Sequence, residues 1–186
     1  MQARNRKRRW LITAAVGAVV LALGLVLFKP WLLFVDVRVD EQLPTAVASA
    51  SSAEASAAVK TPSASASPAA PVQLAEGSLI SHEHATTGTV RIIQQPGGKR
   101  VLTLENLDTS NGPDVHVWLS AVDVVEGTAG WFTAGSAEHF DLGMIKGNQG
   151  NQVYAIPDGV DLARYKSVDL WCVQFSVSFG AAQLAK

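Results

Sequence analysis

The sequence is nearly without cysteine: among its 186 residues, Cys172 is the only one. A single cysteine excludes an intrachain disulfide, a cysteine-based zinc finger, a CxxC redox pair and haem attachment through CxxCH. The sequence also lacks a nucleophile elbow, a P-loop, a dinucleotide fingerprint and a paired-carboxylate motif. Because these motifs are missing, no hydrolase, transferase or dinucleotide-dependent activity gains support, and we favour a protein that is not an enzyme.

Charged residues are scarce as well, at 17% of the chain against roughly 25% in an average soluble domain. The formal net charge of −1 conceals an uneven distribution, because the chain after its first ten residues carries an excess of acidic groups. Five basic side chains lie within those first ten residues: Arg4, Arg6, Lys7, Arg8 and Arg9. Since no basic face remains beyond them, we do not expect nucleic acid as a partner.

Residues 10–28 form an apolar run without a charge, directly after the basic residues 1–9. A helix of this length spans about 28 Å, close to the hydrocarbon thickness of a bilayer. A cleaved signal peptide is the alternative, but its apolar core is shorter, at about 7–15 residues, and its cleavage site follows closely. We therefore predict an uncleaved single-pass helix in the cell membrane. The positive-inside rule assigns residues 1–9 to a cytoplasmic tail and the rest of the chain to the extracytoplasmic side.

Residues 29–74 are predicted to be a juxtamembrane segment followed by a disordered linker. Between Pro44 and Pro71, 22 of the 28 residues are Ala, Ser or Pro. Such a stretch has almost no large apolar side chain with which to build a core, and its prolines oppose a helix. A flexible coil of this length has an r.m.s. reach of about 30 Å, so we expect it to tether a folded domain.

Residues 75–186 are predicted to fold as one all-β domain, an antiparallel β-sandwich-like unit. Short runs with a period of two are separated by turn residues, which is typical of sandwiches and barrels. The residues Pro96–Lys99 predict a hairpin turn, and the glycines within residues 143–150 are also expected in turns. The predicted strands are residues 88–95, 101–107, 115–120, 140–145, 151–156 and 168–179.

The alternation of side chains along a strand predicts which way Cys172 faces. If residues 168–179 form one regular strand, Trp171, Val173 and Phe175 face the core, and Cys172 lies on the opposite face, where it would line a cleft. A lone cysteine is commonly a small buried hydrophobe. The alternative is a redox thiol, or an axial ligand to a haem or a metal, because a thiolate is both a nucleophile and a ligand.

The histidines give weaker candidates for a site. In residues 115–120 the alternation places His116 and Trp118 away from the core, with Asp114 close by in sequence. A hydrogen-bonded structural role for His116 is the alternative to a role in cofactor binding. His82 and His84 have a spacing that suits a metal, but they lie at the edge of the domain, where a solvated segment is favoured. We predict no metal site.

Four stretches of the domain carry a resemblance to a known family. They are His84 with TTGTV (86–90), LENLDTSNGPDVHVWLS (104–120), DLGMIKGNQGNQVYAIP (141–157) and VDLWCVQFSVSFGAAQL (168–184). On these residues the domain resembles the DM-thirteen domain, also called the electron-transfer DM-thirteen domain. The four stretches extend over nearly all of residues 76–184 and do not include the apolar run or the linker.

The resemblance implies a β-sandwich-like extracytoplasmic module, a type found in animals beside DOMON domains and cytochrome-type membrane partners. It implies a cysteine that acts as a bare thiol or binds a prosthetic group such as haem, and the matching position is Cys172. We therefore expect a membrane-tethered module that takes part in electron transfer through Cys172, either as a free thiol or as a haem ligand. His116 is a second candidate for cofactor binding. The expected partner is a redox protein. The alternative is a non-catalytic cell-surface adhesion or ligand-binding domain in which Cys172 is structural.

Overall fold

The computed structural model of the chain describes residues 2–44 and 70–186. These residues divide into two compact units, with the boundary between Val35 and Asp36. Most of the predicted disordered linker, residues 45–69, lies outside the described residues.

The first unit is dominated by one helix, α1 (Gln2–Phe28), followed by a short 3-10 helix, Pro30–Phe34. Within α1, the 20 residues Arg9–Phe28 are long and apolar enough to span a membrane, a property that signal sequences share. Leu and Ala favour the helix, whereas proline cannot continue its hydrogen-bonding pattern, which explains why α1 ends before Pro30. The predicted helix over residues 10–28 is thus present, and α1 begins earlier, within the basic tail.

The second unit is a curled sheet of nine strands, which confirms the prediction of an all-β, sandwich-like domain. Its strands lie side by side in the order β1-β7-β4-β3-β2-β9-β8-β5-β6. All neighbours are antiparallel except β1 and β7, which are parallel. The strands are β1 (Arg38–Asp40), β2 (Val72–Ser81), β3 (Thr87–Gln94), β4 (Arg100–Asp108), β5 (Val115–Ser120), β6 (His139–Met144), β7 (Gln149–Ile156), β8 (Ser167–Cys172) and β9 (Val177–Gln183).

Strand β2 joins the two halves of the sheet. Its first part pairs with β3, whereas its last three residues, Leu79 to Ser81, pair with β9. The sheet therefore folds over itself, and apolar side chains of both halves meet in one main core, to which β3, β4 and β7 contribute from one side and β5, β8 and β9 from the other. Burial of this apolar surface supplies the driving force for the fold.

Strand β1 lies within residues 29–74, which the sequence analysis assigns to the juxtamembrane segment and linker. It runs parallel to β7, with Arg38 opposite Gln149. The close approach of β1 explains two glycines that were expected only in turns, because a Cβ on Gly147 would overlap the carbonyl oxygen of Val37 and a Cβ on Gly150 that of Val39. Residues 45–69 therefore connect two strands of the same unit.

Local patterns predicted several elements well. Strand β3 and the turn at Pro96–Lys99 occur where the sequence places them, and β5 has the predicted alternation, with Val115 and Val117 buried in the main core. The predicted single strand over residues 168–179 is wrong, because residues 173–176 form a turn between β8 and β9. Ser176 has a left-handed backbone there, with φ of 53°, which regular strands do not allow.

Candidate functional site

Cys172 is the last residue of β8 and faces the main core. It has 0% exposure and lies opposite Val115 of β5 and Val177 of β9. The prediction that it lies away from the core is wrong, because the turn that follows breaks the alternation assumed for one continuous strand. Cys172 shares its face with Leu170, and it is Trp171 that faces the other way.

Two loops supply backbone N–H groups to the thiol of Cys172. One is the turn 173–176, and the other contains Asp114, two residues after Gly112. The backbone N–H of Val173 donates to the carbonyl oxygen of Asp114 over 2.9 Å, which ties the two loops together. A Cβ on Gly112 would lie 2.6 Å from Val115 and 2.8 Å from the ring of Phe179, so this loop needs glycine to pack closely over the core.

The surroundings of Cys172 keep its thiol protonated. Burial raises the pKa of the thiol, and backbone N–H groups of Phe175, Gln174 and Asp114 lower it in part by hydrogen bonding to the sulfur. The negative charge of Asp114 raises the pKa further. Since the net direction is upward, Cys172 carries little thiolate near neutral pH and is a weak nucleophile.

His116 lies between two carboxylates on the opposite face of β5. Its Nδ1 lies 2.8 Å from Asp141 and its Nε2 lies 3.1 Å from Asp114. Both ring nitrogens therefore lie within hydrogen-bonding distance of a carboxylate oxygen. In the β5–β8 register His116 is paired with Trp171, while Cys172 is paired with Val115. The structure therefore separates the two residues that were predicted to bind a cofactor.

Haem, which the resemblance implies, does not fit these residues. An axial ligand needs a free lone pair that faces room for the porphyrin. The sulfur of Cys172 is enclosed by core side chains and by three backbone N–H groups. Both nitrogens of His116 are already in contact with carboxylates, and His116 is paired with Trp171 in the strand register while Cys172 is paired with Val115. We therefore derive no chemistry through haem at this site.

A second aromatic cluster lies on the face of β5 and β8 that points away from the main core, here called the outer face. The rings of Trp118 and Trp171 are stacked with centroids 5.2 Å apart, and both side chains are buried. The ring of His139 stacks on Trp118 at 3.6 Å, with the planes 6° apart. The alternation predicted Trp118 on this face but gave no indication of the stack, which also needs β6 and the segment near Ala134.

A chain of buried polar side chains crosses the outer face beside this cluster. The Nδ1 of His82 lies 2.7 Å from the hydroxyl of Ser178, and its Nε2 lies 3.1 Å from the carbonyl oxygen of Val125. Ser178 in turn hydrogen bonds to Asp169. The expectation of a solvated His82 is wrong, since it is only 8% exposed. His84 packs against Phe179 instead, so these two histidines do not share a site.

Burial controls the protonation of this polar chain. It raises the pKa of Asp169 to about 7, although the hydrogen bond from Ser178 opposes that shift. Burial lowers the pKa of His82, and the bond to the carbonyl oxygen of Val125 opposes that shift. Both shifts favour the neutral forms. Sequence reasoning did not single out Asp169, although an acid within the apolar run VDLW is a usable signal.

In the comparison with protein families, the model described as Electron transfer DM13 matches residues 78–184. Comparison with curated proteins gives no match, and neither does comparison with solved structures. The matched residues cover more than half of the chain and contain strands β3 to β9, Cys172 and the outer face.

Proposed function

The chain belongs to the electron-transfer DM13 family, and from this premise we propose that it is a membrane-tethered extracytoplasmic module that passes single electrons, with Cys172 as its redox group. The observation that carries the proposal is the position of the only thiol, enclosed in the domain that the family model matches. The family indicates electron transfer as the class of function, and the burial of the sulfur favours a one-electron step over thiol–disulfide exchange.

Burial favours one-electron chemistry over thiol–disulfide exchange. Exchange needs a thiolate that touches the sulfur of its partner. Cys172 has no exposed surface, and its pKa is raised. Loss of a single electron needs no contact between sulfur atoms, so a buried thiol can take part.

The proposed step converts the thiol of Cys172 into a thiyl radical. One electron passes to an oxidised one-electron carrier, and the S–H proton passes to the carboxylate of Asp114. Among the described groups, Asp114 is the one whose charge acts on this thiol. An electron from a reduced carrier and the proton from Asp114 restore the thiol.

The membrane part of the proposal rests on α1. Its residues Arg9–Phe28 have the length and the apolar composition of a membrane span. The basic residues before this span support a cytoplasmic N-terminus under the positive-inside rule. The domain that contains Cys172 then lies on the extracytoplasmic side.

The test uses the full chain in detergent micelles with a photogenerated ruthenium(III) polypyridyl complex as one-electron oxidant. We expect a thiyl radical, detected by spin trapping and electron paramagnetic resonance, in the wild type and not in Cys172→Ala. If the spectra of the two proteins are the same, the redox role of Cys172 is wrong.

One observation favours a second function, a non-catalytic adhesion or ligand-binding domain. Cys172 packs within the main core as a small hydrophobe would, while Val173 and Phe175 beside it are 41% and 45% exposed. Exposed apolar side chains of this kind suit contact with another protein. Under this alternative, Cys172→Ala has no effect in the oxidation experiment and changes stability alone.

A further inference from the structure

The outer-face stack consists of Trp171, Trp118 and His139, in that order from the inside to the surface. Trp171 is 3% exposed and Trp118 is 7% exposed, whereas His139 is an exposed residue. The centroid distances of 5.2 Å and 3.6 Å, with interplanar angles of 20° and 6°, are those of stacked rings. One end of the stack is therefore enclosed and the other end meets solvent.

The segment around Ala134 and Gly135 closes the enclosed end of the stack. Ala134 belongs to the same buried cluster as the two tryptophans. A Cβ on Gly135 would lie 2.5 Å from the ring of Trp171, so the backbone sits directly against the indole. This cover holds the ring in one position and keeps water away from it.

Trp171, at the enclosed end of the stack, directly precedes Cys172 in the sequence. Trp171 and Cys172 are joined by one peptide bond and project from opposite faces of β8. Indole is among the side chains that lose a single electron most readily, and stacked rings are in electronic contact. We propose that Trp171 and Trp118 form the electron route between Cys172 and the protein surface, with His139 at its outer end.

This proposal rests on the proposed function and names the residues that connect its redox group to a partner. The oxidised carrier docks near His139 and takes one electron from Trp118, which leaves an indole radical cation. Trp171 supplies an electron to Trp118, and Cys172 supplies one to Trp171. The S–H bond of Cys172 breaks, and its proton goes to Asp114. In sum, the carrier is reduced by one electron and Cys172 becomes a thiyl radical.

An acidic side chain lies beside Trp118 on the outer face. Asp169 of β8 is paired with Trp118 of β5 in the strand register, and it is 3% exposed. The Oδ1 of Asp169 and the Nε1 of Trp118 have no hydrogen-bond partner among the described residues. When ionised, the carboxylate stabilises positive charge on the neighbouring indole more strongly than it would in water, because the local dielectric constant is low.

The experiment measures the yield of the Cys172 thiyl radical in variants of the full chain, with the same ruthenium(III) oxidant in detergent micelles. Trp118→Phe interrupts the stack. Trp131→Phe is the matched control, because Trp131 packs against the main core and is not part of the stack. We expect the yield to fall by an order of magnitude in Trp118→Phe and to remain at the wild-type level in Trp131→Phe.

A second measurement does not depend on the folding of a tryptophan variant. In the wild type, the transient absorption of the indole radical should decay as Cys172 is oxidised. In Cys172→Ala the same radical should persist for at least an order of magnitude longer. Equal thiyl yields in the two tryptophan variants, or equal lifetimes with and without Cys172, overturn the route while the redox role of Cys172 stands. A wild type without any thiyl radical overturns the proposed function itself.

Discussion

Glu41 and Lys146 form an ion pair at 2.7 Å that joins the end of β1 to the loop before β7. Glu41 also accepts a hydrogen bond from the backbone N–H of Val153, and its pKa is lowered, chiefly by the hydrogen bond from Lys146. Asn148 adds a second connection, since its side-chain oxygen accepts from the N–H of Val37 at 2.7 Å. Polar contacts before and after β1 therefore hold this three-residue strand in place.

Gly147→Ala should detach β1 from β7. The added Cβ overlaps the carbonyl oxygen of Val37, and the backbone of Gly147 needs no left-handed conformation, so the clash is specific to β1. We expect the backbone amides of residues 37–41 to exchange with deuterium at least an order of magnitude faster than in the wild type, as followed by mass spectrometry. Gly159→Ala is the control, because nothing lies within 4 Å of the added Cβ. Unchanged exchange in Gly147→Ala would show that β1 is not held in this way.

Local sequence patterns were sufficient for the elements whose determinants are local. The alternation in Val115–Ser120 gave the faces of β5, and Pro96–Lys99 gave the hairpin turn. The turn at residues 173–176 was missed because VQFS contains neither Gly, Pro nor Asn. That omission alone reversed the inferred direction of Cys172. Because side chains alternate along a strand, a shift of one residue assigns every side chain to the wrong face.

Long-range pairings were not predictable from the sequence. The contact of Arg38 with β7 joins residues more than a hundred positions apart, and three residues carry too little pattern to indicate a partner. The stack of Trp118 and His139 and the link of His82 to Ser178 likewise depend on how separate elements meet. The period-two alternation and the turn residues predicted the fold class, whereas the arrangement of the candidate site required the structure.

Cys172→Ser should destabilise the domain by about 1–3 kcal/mol, because it places a hydroxyl in an apolar core. The measurement is the free energy of unfolding in a denaturant titration of the full chain. Val173→Ser, one residue further along and 41% exposed, should change it by no more than about 0.5 kcal/mol. A loss of equal size in both variants would contradict the assignment of Cys172 to the core.

Gly112→Ala should increase the rate at which Cys172 reacts with a thiol-alkylating reagent under native conditions. The added Cβ lies too close to Val115 and to the ring of Phe179, so the loop that covers the thiol must move outward. Gly159→Ala again serves as control. The alkylation rate, followed by mass spectrometry, should rise in the first variant only. A thiol that stays as slow in Gly112→Ala as in the wild type would show that another part of the chain limits access.

Asp169 should make the stability of the domain fall as the pH rises from about 4 to about 7. Its pKa in the folded protein is about 7, against 3.8 for the ordinary side chain, because burial disfavours the charged form. In this interval the folded state binds more protons at Asp169 than the unfolded state does, so unfolding becomes easier with increasing pH. The shift corresponds to at most about 4 kcal/mol between the two ends of the interval.

His82 has the opposite effect on the stability of the domain. Burial lowers its pKa from 6.5, so the unfolded chain binds more protons at His82 than the folded state does as the pH falls below that value. Stability therefore decreases as the pH falls. Asp169→Asn separates the two effects. The stability of the wild type relative to this variant should decrease steadily between pH 4 and pH 7, as measured by urea unfolding. Asp158→Asn, on an exposed turn, is the control variant. A constant difference between the wild type and Asp169→Asn across this interval would mean that Asp169 is ionised in the folded protein throughout.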